Sequence, residues 1–161
     1  MKIIDNYLPK SEYLELKKNI ESYDFPWFYN SKVFKLNPSD IKLWDFQFTH
    51  IFYINNKPNS EYLNILQPIF DKLQPLSLIR IKANLNPISK DLIEFKEHTD
   101  QQFKCKAAIY YVNDNNGYTM IGDKKVESKG NRIVMFNANT KHYGTNSTNC
   151  NNRVVINFNY I

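Results

Sequence analysis

Between residue 44 and the C-terminus the sequence repeatedly changes character every second residue, and this constrains the fold more than any other feature. Trp44, Phe46, Phe48, His50 and Phe52 alternate with Asp45, Gln47 and Thr49. Ile79, Ile81, Ala83 and Leu85 alternate with Arg80, Lys82 and Asn84. In the last stretch, Arg153–Tyr160, Val154, Ile156 and Phe158 share one parity; Arg153, Val155, Asn157 and Asn159 share the other. A period of two is that of a strand with two unlike faces. Further strands are expected from Phe103 to Val112, ending in the turn Asp114-Asn115-Asn116-Gly117, and over Arg132–Phe136. The polar faces either turn to water, which is the ordinary arrangement, or line a polar pocket between two sheets.

Two amphipathic helices precede most of these strands. The first is expected to start near Ser11 as N-cap, with Glu12 and Glu15 in its first turns and Tyr13, Leu16 and Ile20 as its apolar stripe. The second is expected from Ser60, with Leu63, Leu66, Phe70 and Leu73 at helical spacing, and a kink or break at Pro68. Helices first and strands after indicate an α+β fold, an antiparallel sheet or sandwich with helices on one side. At 161 residues the chain is expected to form one domain, in which residues 1–77 support a core of residues 78–161. A 42% hydrophobic and 15% aromatic composition excludes a disordered chain. Only two cysteines, Cys105 and Cys150, exclude a disulfide scaffold, and both are expected to be free thiols. Asp5 and Asn6 interrupt any signal-peptide core, and no apolar run is long enough for a membrane span, so a cytoplasmic protein is expected. The net charge of +5 comes from scattered lysines, which read as a solvated surface rather than a nucleic-acid patch.

The chemistry is carried by a small set of residues. Three histidines occur. His98 and Asp100 stand two residues apart, so in an extended segment both point the same way, as two ligands of one metal ion would. His142 follows 42 residues after Asp100. Two histidines and one carboxylate form the facial triad of non-haem Fe(II) oxygenases, with three coordination positions open. A lone His-x-Asp is common on protein surfaces, but Arg153 strengthens the pattern. It opens a strand eleven residues after His142 and is suited to grip a dicarboxylate by a bidentate fork. Asn157 shares its strand face.

With these residues in view, the sequence resembles the Fe(II)/2-oxoglutarate-dependent oxygenases of the prolyl-4-hydroxylase-like branch, and is especially similar to small single-domain members in bacteriophage genomes. The resemblance runs over nearly the whole chain. It covers residues 3–9, Phe25-Pro26-Trp27-Phe28-Tyr29, residues 47–53, Ile79–Leu85, His98-x-Asp100, Ala108–Asn113, Asn116–Thr119, Asn131–Phe136, His142-Tyr143-Gly144 and Arg153–Phe158. It implies a double-stranded β-helix, a jelly-roll of two antiparallel sheets with the N-terminal helices packed on the larger one. It implies Fe(II) held by His98, Asp100 and His142. The cosubstrate would be 2-oxoglutarate, its distal carboxylate paired with Arg153 and assisted by Tyr111. O2 would be the oxidant and ascorbate a candidate reductant. Tyr110 is the alternative to Tyr111; Tyr111 is preferred because it shares a face with Ala107 and Ile109, where a small alanine leaves room. Asn84 falls near the position that contacts the metal-proximal end of the cosubstrate, although prolyl hydroxylases often carry tyrosine there. Val155, Ile109 and Met135 are expected walls.

The expected activity is hydroxylation of an unactivated C–H bond, on a prolyl or other peptide-borne group, with succinate and CO2 as coproducts. The peptide or protein substrate would be met by loops over residues 24–40, 54–60 and 86–97. The alternatives are the same chemistry on a nucleobase or small metabolite, or a jelly-roll kept for binding without turnover. Asn159 stands where the nucleic-acid dealkylating branch usually places a second arginine, which counts against a nucleobase. His50, on an aromatic face, is expected to be a hydrogen-bonded core residue; Trp27 and Trp44 are expected in the core or at the pocket rim.

Overall fold

The computed structural model describes residues 1–31 and 46–161. Trp44, Asp45 and the expected mouth residues 32–40 lie outside the described residues. In chain order the elements are β1 (Lys2–Ile4), α1 (Lys10–Ile20), β2 (Phe28–Asn30), β3 (Gln47–Ile54) and β4 (Lys57–Pro58). A 3-10 helix (Glu61–Leu66) runs directly into α2 (Gln67–Leu73). Then come β5 (Leu78–Pro87), β6 (Lys106–Tyr111), β7 (Tyr118–Ile121), β8 (Lys124–Glu127), β9 (Arg132–Asn137), β10 (His142–Gly144) and β11 (Asn152–Tyr160).

The strands form two antiparallel sheets. The larger runs β1-β9-β6-β11-β5-β3-β2, with β4 added to β3; the smaller runs β10-β7-β8. This is a jelly-roll, a double-stranded β-helix with its few helices packed on the larger sheet, as the resemblance implies. The period of two sorts the side chains onto two cores. Leu16 and Ile20 of α1 join Leu66 and Ile69 against Ile81, Ala83, Ile156 and Phe158 on the outer face of the large sheet. Ala107, Ile109, Tyr111 and Val155 of that sheet meet Ile121 and Val126 of the small one on its inner face. Fully burying an aliphatic side chain of this kind contributes about 1.5–3 kcal/mol.

The inner face is not dry along its whole length. Arg80, Lys82, Asn84 and Asn86 of β5 share that parity with Arg153, Val155 and Asn157 of β11, and all of them line one pocket between the sheets. The polar faces therefore turn inward rather than to water.

Three details differ from expectation. Helix α1 is entered through Pro9, whose carbonyl accepts from Tyr13 N at 3.0 Å, and no side chain caps it. Ser11 lies inside the first turn, because the helix is entered two residues earlier than expected, with Pro9 as its N-cap. The strand expected from Phe103 begins only at Lys106. The chain bends over residues 102–104, and Phe103 is exposed. Met135 packs with the outer core while its neighbours Val134 and Phe136 join the inner one, so it is not a wall of the pocket. The second helix does break as expected. Ser60 Oγ accepts from Tyr62 N at 3.0 Å to open the 3-10 turn, and Pro68 falls at the first turn of α2, where its missing N–H costs nothing.

Candidate metal centre and adjoining pocket

His98, Asp100 and His142 come together. Each offers one ligand atom, and these atoms lie within 4.8 Å of one another. The local reason is a strap. Residues 94–100 run antiparallel along β10, with bridges Glu94–Thr145 and His98–His142. His98 N donates to His142 O at 2.9 Å and His142 N to His98 O at 2.8 Å. Residues directly opposite in an antiparallel pair carry their side chains on one side. The two imidazoles consequently face each other with centroids 4.5 Å apart. Asp100, two residues on, is fixed by its own N–H to Ala138 O at 3.0 Å. Its Oδ2 stands 3.8 Å from His142 Nε2.

The hydrogen bonds select tautomers suited to a metal. Nδ1 of His98 is 3.2 Å from Lys96 O, and Nδ1 of His142 is 2.9 Å from Thr140 O. Each Nδ1–H donates to a carbonyl, which makes Nε2 the lone-pair nitrogen of both rings. Burial, and then the neighbouring His142, hold the His98 imidazole below its ordinary value, which favours the neutral ligand form. Asp100 is gripped from behind. Arg80 Nη2 donates to its Oδ1 and Asn159 Nδ2 to its Oδ2, both at 2.9 Å. Arg80 and Asn159 are cross-strand partners on β5 and β11, so the sheet delivers both donors to one carboxylate. Sequence reasoning missed these two as supports of Asp100. The alternation puts Asn159 on the strand face of Arg153 but does not point to Asp100 as its partner.

At the other end of β11, Arg153 is 2% exposed. Its Nε donates to Ser128 Oγ at 2.8 Å, and its Nη2 to Thr119 Oγ1 at 2.9 Å and to Tyr118 O at 3.3 Å. Among the described residues no carboxylate pairs with it. Burial lowers its pKa to about 10, still far above neutrality, so the group remains a cation. Burying a charge without a counter-ion costs several kcal/mol. Gly117 makes room for it: a Cβ there would meet Asn146 O at 2.4 Å and Arg153 Cδ at 2.6 Å.

Tyr111 lies beneath the guanidinium, its ring centroid 5.7 Å from Arg153 Cζ. Burial raises its pKa, with the Arg153 charge acting against the rise. Its hydroxyl is sealed from solvent and makes no hydrogen bond among the described residues, and the same holds for Asn84 Oδ1 and Asn86 Oδ1. Tyr110 faces the outer core, where its hydroxyl donates to Asn131 Oδ1 at 2.9 Å. Of the two tyrosines, the structure therefore brings Tyr111 to Arg153. Asn84 and Asn157 both line the pocket. A buried unpaired guanidinium, orphaned polar atoms and a His-Asp-His donor set suit a metal ion with an anionic chelating partner.

His50 stands apart from this pocket. Its Nδ1 meets Pro26 O at 2.9 Å and its Nε2 meets Ser60 Oγ at 2.8 Å, among the rings of Phe25, Phe52 and Tyr62. Trp27 leans on Phe25. Both cysteines are free.

No family model matches the sequence, and no curated protein matches it. Solved structures do match. The non-heme alpha ketoglutarate dependent epimerase SnoN from nogalamycin biosynthesis superposes with a TM-score of 0.68 at 13% identity, covering 99% of this chain and 77% of that one. A Trichoplax adhaerens prolyl hydroxylase, solved with a peptide fragment of the hypoxia inducible factor oxygen degradation domain, gives 0.64 at 15% identity over 99% and 82%. A Pseudomonas putida prolyl-4-hydroxylase gives 0.57 at 11% identity over 99% and 91%. The fold is that of the 2-oxoglutarate/Fe(II) oxygenases. At these identities the likeness concerns architecture. No helix among the described residues is long and apolar enough to cross a membrane.

Proposed function

We propose that this chain is an Fe(II)- and 2-oxoglutarate-dependent dioxygenase that hydroxylates a prolyl or other peptide-borne group. One observation carries the reading: a buried arginine, without a carboxylate partner among the described residues, shares a pocket with a His-Asp-His cluster. The peptide is supported by the Trichoplax enzyme, which was solved with one.

Fe(II), 2-oxoglutarate and O2 together supply oxidative decarboxylation to succinate and CO2, coupled to hydroxylation of an unactivated C–H bond. The chain supplies the rest. His98 and His142 would give Nε2, and Asp100 one oxygen, while the carbonyls of Lys96 and Thr140 keep each Nδ1–H in place. Arg80 and Asn159 prevent the Asp100 carboxylate from rotating away. Arg153 would take the distal carboxylate of 2-oxoglutarate in a charge-assisted fork, and Tyr111 would add its orphaned hydroxyl. Asn84 and Asn157 would line the cosubstrate between the two ends. Ile109 and Val155 exclude water there, which strengthens each of these contacts.

The test is anaerobic titration of the purified protein with Fe(II) and then 2-oxoglutarate. The visible metal-to-ligand charge-transfer band of the chelate is expected, and it should weaken in His98→Ala. Fe(II) binding without the band would mean a metal site of another kind. Full turnover in Asp100→Ala would remove that residue from the ligand set.

A further inference from the structure

The pocket is unbalanced in charge. Three cationic side chains, Arg80, Lys82 and Arg153, line it together with one carboxylate, Asp100, among the described residues. A divalent metal adds two positive charges and a dicarboxylate cosubstrate removes two. The loaded pocket would still carry a surplus of two positive charges.

The cations differ in occupation. Arg80 is committed to Asp100. Arg153 sits at the closed end, surrounded by buried Thr119, Ser128 and Tyr111. Lys82 is the remaining one, and among the described residues its ammonium has neither a hydrogen bond nor an ion pair. It lies one inward-facing position along β5 from Arg80 and pairs across the sheet with Asn157. Its charge reaches His98, and that of Asp100 reaches it, so it belongs to the metal end of the pocket. Burial, then the neighbouring Arg80, push the Lys82 ammonium down to about 8, and the charge of Asp100 acts against that fall.

The two ends differ in access. Arg153 is buried, whereas the Arg80 side chain is 31% exposed, and Lys82 and His98 are half-buried. A molecule entering from solvent meets the metal end first. A free cation beside a divalent metal repels it unless an anion sits between them, and an anion arriving there removes both penalties.

We propose that Lys82 is a specificity residue that selects a substrate bearing a carboxylate or phosphate close to the reacting carbon. This rests on the reading of the pocket as a 2-oxoglutarate oxygenase site. An anion approaching the mouth would be drawn in by the surplus field. Its oxyanion would settle on the Lys82 ammonium, leaving the neighbouring carbon facing the triad.

The test uses anaerobic protein loaded with Fe(II) and 2-oxoglutarate. It is titrated with propionate, with its neutral isostere propionamide, and with inorganic phosphate, followed by calorimetry and by the shift of the charge-transfer band. Wild type is expected to bind one of the two anions at least tenfold more tightly than the amide, and the tighter one distinguishes carboxylate from phosphate. Lys82→Met should abolish that preference, Lys82→Arg should keep it, and both should bind 2-oxoglutarate within threefold of wild type. Equal binding of anion and amide by wild type overturns the proposal, as does a preference that survives in Lys82→Met. A tenfold loss of 2-oxoglutarate affinity in Lys82→Met would instead assign this lysine to the cosubstrate. Failure of wild type to bind 2-oxoglutarate at all would overturn the oxygenase reading and this proposal with it.

Discussion

At the scale of single residues, Arg153 sets function against stability. Its buried charge has three hydrogen-bond partners and no carboxylate among the described residues, so the ligand-free protein bears a desolvation cost that a bound anion would relieve. Arg153→Met is expected to leave the stability of the ligand-free protein unchanged or raise it by up to about 2 kcal/mol, because the desolvation cost of a buried charge without a counter-ion is removed. The same variant should lose 2-oxoglutarate binding by at least about a hundredfold, the worth of a charge-assisted fork. Thermal unfolding and calorimetry on one preparation check both. The two adjacent tyrosines separate in the same way. Tyr110→Phe removes a buried hydrogen bond to Asn131 and should cost about 1 kcal/mol with 2-oxoglutarate affinity intact. Tyr111→Phe deletes an orphaned hydroxyl and should spare stability while weakening the cosubstrate. Much at this scale was legible. His98, Asp100, His142 and Arg153 stood out because few side chains can do such chemistry. Asn131 and Asn159 did not, since asparagine is abundant here and its hydrogen bonds depend on partners distant in sequence. Asn131, for example, accepts from Leu8 N and Tyr110 and donates to Leu8 O.

Elements were legible in proportion to their length. Strands β3, β5 and β11 run eight to ten residues, enough for alternation to declare itself. Strands β7, β8 and β10 have three or four residues and no such pattern. Yet β10 carries His142 and pairs with the strap that carries His98, so the element that assembles the cluster was the least visible one. The loop before β7 is similar. Gly117 looked like a turn glycine, whereas its place is dictated by Asn146 and Arg153 packing where a Cβ would be. The clash with the Asn146 carbonyl involves backbone and cannot be relieved by a rotamer. Gly117→Ala is expected to destabilise by about 1–3 kcal/mol, as overpacking does, and to weaken 2-oxoglutarate binding by displacing Arg153. Denaturant titration measures the first effect and calorimetry the second.

For the whole molecule, pH dependence follows from two histidines held neutral. His50 and His98 both have pKa values lowered chiefly by burial. Each folded value lies below the unfolded value of about 6.5, so between the two the unfolded chain binds more protons and stability rises with pH. Their contribution is complete above about pH 6.5 and is lost as pH falls through the lowered folded values. Asp5 acts the same way at lower pH. Hydrogen bonds from Arg132 and Lys129 hold its carboxyl well below the usual range, so what it contributes is present above about pH 4 and disappears in acid. The Asp5 side chain is 36% exposed, so its share is small and screened by salt. Stability should therefore decline in two stages on acidification, and His50→Phe should flatten the first, measured by urea midpoints from pH 8 to pH 4.

Strand β11 carries Arg153 near its start and Asn159, which grips Asp100, near its end. It is hydrogen-bonded on both sides, to β5 and β6, over most of its length. A pleated strand advances by a fixed rise of about 3.3 Å per residue, and a strand inside a sheet cannot stretch. The interval between the carboxylate-binding end and the ligand-cluster end is therefore a gauge cut into the backbone. Such a gauge measures its cosubstrate by carbon count. Oxaloacetate, one methylene shorter, and 2-oxoadipate, one longer, should each bind at least about tenfold more weakly than 2-oxoglutarate, since a misplaced carboxylate forfeits a charge-assisted hydrogen bond.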